Sequence, residues 1–70
     1  MSIASVSEII AASSKSFEDA IEKGMARANK TLHNVQGAWV ESQKVVCNDQ
    51  GAIAEYRVVL KVTFVLDDSD

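Results

Sequence analysis

Tyr56-Arg57-Val58-Val59-Leu60-Lys61-Val62-Thr63-Phe64-Val65-Leu66 is the stretch that decides how this chain folds. Tyr56, Val58, Leu60, Val62, Phe64 and Leu66 recur at every second position, while Arg57, Val59, Lys61, Thr63 and Val65 fill the gaps. Successive side chains of a strand point to opposite faces, so this spacing predicts a strand with one wholly apolar face. From about residue 52 to 66 it would run ~50 Å at ~3.3 Å per residue. Asn48-Asp49-Gln50-Gly51 ahead of it is a turn, because Asn and Asp favour turn conformations and Gly51 permits positive φ. Residues 37 to 47, Gly-Ala-Trp-Val-Glu-Ser-Gln-Lys-Val-Val-Cys, form a second strand leading into that turn.

Upstream, Phe17, Ala20, Ile21, Gly24, Met25, Ala28, Leu32 and Val35 follow 3-4 spacing, which predicts one amphipathic helix. Ser14 and Ser16 compete as its N-cap, the second in a Ser-x-x-Asp pattern ending at Asp19. Glu18, Asp19 and Glu22 come early, and Arg27, Lys30 and His33 come late. This order complements the helix dipole and needs no binding site to explain it. Gly24 inside the stripe costs up to ~1 kcal/mol relative to Ala, which a strand crossing close beneath the helix would justify. Ile3 to Ala12, rich in Ile, Val, Ala and Ser, reads as a first strand, and Asp67 to Asp70 as a polar, frayed tail. Residues 1 to 70 make one domain without repeat or linker.

Seventy residues carry 47% hydrophobic and 24% charged residues, an ordinary globular composition. A single core in so short a chain rarely supplies more than ~3–5 kcal/mol, so small proteins add disulfides, a metal or partner subunits. Cys47 is the only cysteine and His33 the only histidine, which removes a disulfide and a Cys/His metal cage. Partner subunits remain. A helix of ~19 residues is only ~28 Å long and cannot cover the long strand. The rest of its apolar face, with Val59 and Val65 on the reverse, needs another protein surface, and a closed homo-oligomer supplies one.

Other classes find little support. The net charge is −3 and no Lys/Arg-rich block exists, which argues against nucleic acid. No apolar run approaches the ~20 residues that span a membrane, and Met1 to Ser7 has no basic n-region. A cytoplasmic location is therefore expected, and the lone Cys47 suits a reducing compartment. There is no His-x-x-x-His, Gly-rich phosphate loop or Ser-His-Asp set, so no enzyme is expected.

The succession of strand, Ser-capped helix, strand, turn and very long strand resembles the dodecins. The likeness rests on Ser16-Phe17-Glu18-Asp19-Ala20-Ile21, on Ala26-Arg27-Ala28 with Lys30-Thr31-Leu32, and on the Tyr56 to Leu66 stretch. It spans Ile3 to Asp67. The resemblance implies an α+β subunit of β-α-β-β order, its three-stranded antiparallel sheet partly wrapped around one helix, assembled as a hollow homo-dodecamer. It also implies storage or sequestration of a small ligand without turnover.

Flavin-binding members stack the ring on a tryptophan of the second strand and bond its polar edge with a glutamine of the third. Aligned without a gap, the stacking position falls on Gly37 and the glutamine position on Arg57, a pattern closer to the calcium dodecin branch. A two-residue gap after the helix instead places Trp39 at the stacking position. A shift of two keeps Trp39 on the same side of the sheet as Gly37. Trp39 offers an aromatic face to a flavin (riboflavin, FMN or FAD) or packs a subunit contact. Arg57 offers a fork of donors to phosphate or carboxylate, or an ion pair to Glu41 or Glu55. Glu41 and Gln43 are expected on the face of Trp39, as pocket lining or solvated surface. Glu8, Glu41, Glu55 or Asp67 could ring a symmetry axis and hold a divalent cation through oxygen ligands. The alternatives to a flavin shell are thus a shell with ion sites at its axes, or a purely structural or interaction protein.

Overall fold

A computed structural model describes residues 3 to 67, the side chain of Asp67 excepted. Strand β1 (Ile3–Ser13), helix α1 (Phe17–Thr31), strand β2 (Val35–Cys47) and strand β3 (Ile53–Asp67) follow one another in the expected order. The sheet order is β1-β3-β2, with both pairings antiparallel. The strand with the strictest alternation therefore lies in the middle, and α1 carries the chain across it from one edge to the other. Asp67 ends β3 opposite Ile3; the rest of the expected tail, 68 to 70, lies outside the described residues.

The apolar face of β3 makes the core. Val58, Leu60 and Val62 are fully buried beneath Ala20 and Ala28, with Ile9, Ala11, Ile21 and Met25 around them. Phe17 meets Tyr56 edge to face, the ring centres 5.1 Å apart. Gly24 has the close approach expected of it: a Cβ there would stand 2.9 Å from Leu60 Cδ1 and 3.1 Å from Ala11 Cβ.

Ser16, not Ser14, caps α1, its hydroxyl accepting the Asp19 N–H at 3.0 Å. Ser13, buried at the end of β1, donates its hydroxyl to Asp19 Oδ2 at 2.5 Å and accepts the Lys15 N–H at 2.9 Å. Lys23 approaches the same Asp19 oxygen to 3.0 Å. One carboxylate thus fastens the end of β1 to the first turn of the helix, where the helix dipole also favours negative charge.

The helix is shorter than the spacing predicts. It has 15 residues and rises about 22 Å. Leu32 is already extended, though its N–H still bonds the Ala28 carbonyl. Asn34 then takes φ +57, a conformation that asparagine tolerates, and its carbonyl accepts the Val65 N–H. Val35, which fits the helical stripe, opens β2 opposite Phe64, and His33 falls outside the helix. The 3-4 spacing runs on because Leu32 and Val35 pack on the same core from an extended segment.

α1 lies over β1 and β3 and scarcely touches β2. Val40 and Val45, on the helix side of β2, stay exposed, and so does Trp39 on the reverse. The subunit measures 56 × 18 × 14 Å, with a radius of gyration of 14.6 Å, against about 11 Å for a compact chain of this length. It exposes 4927 Å², where a compact monomer of its mass exposes about 4300 Å². No helix of the described residues is long and apolar enough to cross a membrane.

Gly24→Ala should destabilise the protein. Helix propensity gains up to ~1 kcal/mol, but crowding Leu60 and Ala11 costs ~1–3 kcal/mol. A lowered melting temperature at fixed protein concentration is expected; a rise would show that the helix lifts off the sheet without cost.

The Asp19 carboxyl is held below its ordinary 3.8, first by the Ser13 hydrogen bond and then by the one from Lys23. A group whose pKa is lowered on folding contributes stability above its unfolded value and loses it as pH falls through the folded one. Stability is thus expected to decline as pH drops below about 3.8. Asp19→Asn should flatten that limb of a melting-temperature profile; an unchanged limb would exclude Asp19 as its source.

Candidate functional site

Residues directly opposite in an antiparallel pair share a face, so the register fixes what surrounds Trp39. On the face turned away from α1, Glu8, Lys61 and Trp39 form one row across β1, β3 and β2. Val6, Thr63 and Gly37 form the next row. On the other side come Ile10, Val59 and Ser42, and then Ala12, Arg57 and Lys44.

Trp39 stands at the centre, 62% exposed. Beside it, a Cβ on Gly37 would meet nothing within 4 Å, which leaves a notch above the backbone. Thr63 donates its hydroxyl to the Gly37 carbonyl at 3.0 Å and steadies the floor of that notch. Lys61 reaches Glu41 Oε1 at 3.0 Å. The Glu41 hydrogen bond and charge, with a smaller contribution from Glu8, push the Lys61 ammonium above its ordinary value. Trp39 therefore sits beside an open step and a charged pair, an arrangement that can take the face of a planar molecule and bond its polar edge.

The structure brings Gly37, Trp39 and Glu41 together, and places Arg57 on the same face nearer the β2–β3 turn. Arg57 stands four positions before Lys61 in β3, about 13 Å along the strand. The Arg57 Nε donates to Glu55 Oε1 at 2.9 Å and its Nη2 bonds the same oxygen, so its ion pair is with Glu55 and not Glu41.

Gln43 departs from expectation. Val40 pairs with Leu60 and Ser42 with Val59, so Glu41 is an extra residue in β2. Such a bulge offsets the alternation by one. Beyond it Ser42 and Lys44 take the outer face, and Gln43, opposite the buried Val58, turns to the helix side. A count along the sequence assumes an unbroken pleat and cannot register this. The sequence reading also missed Lys61 as the partner of Glu41 and Thr63 as the anchor of Gly37. Both stand on the mixed face of the alternating stretch, but only the cross-strand register names their partners.

Of the candidate axial carboxylates, Glu41 and Glu55 are engaged with Lys61 and Arg57. Glu8 is exposed opposite Lys61, and the Asp67 side chain lies outside the described residues. No group of three or more His, Cys, Asp or Glu among the described residues is placed to hold a metal within one subunit.

The Dodecin family model matches residues 3 to 67. Among solved structures, the chain is similar to the dodecin from Streptomyces davaonensis, with 36% identity over 96% of this chain and 97% of that one and a TM-score of 0.88. A Thermus thermophilus protein matches at 30% identity over 99% and 100% of the two chains, also with a TM-score of 0.88. The calcium dodecin of Mycobacterium tuberculosis, described as calcium chelating, matches at 29% identity over 97% and 96%, with a TM-score of 0.81. No curated protein sequence matches significantly. The chain belongs to the dodecin family.

Gly37→Ala tests whether the notch is open. Gly37 has no positive φ and no neighbour within reach of a Cβ, so the substitution should stabilise by ~0.4–1 kcal/mol through the unfolded chain. A raised melting temperature is expected; a fall would show that another copy fills the space above Gly37.

Proposed function

We propose that this dodecin is the subunit of a hollow homo-dodecamer that binds and sequesters a planar small ligand, a flavin, against Trp39, without chemical turnover. The observation that carries the reading is Trp39 itself, 62% exposed beside the open step at Gly37. A large aromatic left bare on an open face is what a stacked ligand or an apposed copy would cover. Lys61 and Glu41, paired next to it, supply both donors and acceptors for the polar edge of a ring. Flavin chemistry would come from the bound ring alone. No His or Cys neighbours Trp39 on this face, which suits storage rather than catalysis.

The assembly follows from the bare surface of β2 and from the elongated shape of the subunit. A reducing cytoplasm suits the single exposed thiol of Cys47. A second reading takes its support from the similarity to the calcium dodecin. In it, Glu8 or another carboxylate from several copies meets at an axis and holds a divalent cation through oxygen ligands. The Arg57–Glu55 pair would then be a structural tie.

FMN titrated into ligand-free assembled protein should lose its fluorescence and saturate near one per subunit. Trp39→Ala should keep the assembly and weaken FMN by about tenfold or more, the size of an aromatic stacking contribution. Unchanged affinity would move the site away from Trp39. Absence of quenching, together with stabilisation by calcium, would favour the cation shell.

A further inference from the structure

On the opposite side of the sheet from Trp39, a cleft of about 620 Å³ lies between α1 and the free edge of β1. This is within the size range of small-molecule sites. Ile9, Ala11, Gly24 and Ala28 make an apolar floor, and Lys23 and Arg27, one helical turn apart, stand on one wall. No carboxylate of the described residues lines it. In a chain of net charge −3, this wall is cationic. Lys23 is engaged by Asp19 at 3.0 Å, whereas Arg27 has no carboxylate partner among the described residues. Among the described residues β1 pairs with β3 alone, so its outer edge presents backbone N–H groups without a strand partner along the same cleft. A planar guanidinium and backbone donors above an apolar floor match an oxyanion carried on a short apolar body, and a carboxylate is the simplest such group.

We propose that this cleft binds a small anionic amphiphile, with its carboxylate on Arg27 and its apolar body against Ile9 and Ala11. The site is independent of Trp39, which lies across the sheet.

The test uses the intact assembly and octanoate as the probe, followed by calorimetry. Saturable binding near one octanoate per subunit is expected, with octanamide, the uncharged counterpart, about tenfold weaker. Arg27→Gln, at an exposed position, should weaken octanoate about tenfold and leave octanamide unchanged. Trp39→Ala should leave octanoate binding unaltered even if it abolishes FMN binding. The proposal is overturned by absence of saturable binding, by equal affinity for acid and amide, or by indifference to Arg27→Gln. Binding by dissociated subunits alone would also overturn it, since a second copy would then occupy the cleft.

Discussion

A 15-residue helix and a 15-residue strand differ in length by more than twofold, about 22 Å against 50 Å, and this mismatch governs the whole subunit. α1 can seal only one part of the sheet. It seals the part where Val58, Leu60 and Val62 are buried, and it comes so near that Gly24 leaves no room for a methyl group. Everything that helix cannot reach stays bare, including both faces of β2. The hydrophobic core is therefore small and local, and the remaining apolar area calls for other chains. The proposed assembly would complete the fold rather than join finished parts.

The connection between β1 and α1 shows how a little polar chemistry aligns this core. Ser13 and Ser16 use their hydroxyls on opposite sides of the turn, and Asp19 receives the first while its own N–H bonds the second. The helix thereby starts at a fixed place and angle above β1. Leu60 can then meet Gly24 in register. At the far end, the Asn34 carbonyl bonds the Val65 amide and ties the start of β2 back to the central strand.

Much of this was legible in the residues. Alternation from Tyr56 to Leu66 gave the central strand and its buried face, and 3-4 spacing gave the helix, because both periods follow from backbone geometry alone. The end of the helix was not legible, since Leu32 and Val35 keep an apolar position while leaving the helical conformation. Trp39 and Gly37 could be placed on one side of the sheet by counting in twos. Gln43 could not, because the bulge at Glu41 depends on how β2 pairs with β3, a long-range fact absent from any local pattern. The same holds for the partners of Lys61 and Arg57. Their charges were visible, but only the register decides which carboxylate stands within reach.

The bulge at Glu41 makes strand pairing a determinant of surface chemistry. With one residue more than its partner at that point, β2 presents Ser42 and Lys44 outward and Gln43 inward. Were Glu41 instead taken into the ladder opposite Val59, the alternation would run unbroken and the two sets would exchange, bringing an amide to the Trp39 face and withdrawing a cation from it. The polarity of this outer face can thus be rewritten by whether one residue of an edge strand is paired or bulged, while the identities of the residues stay the same.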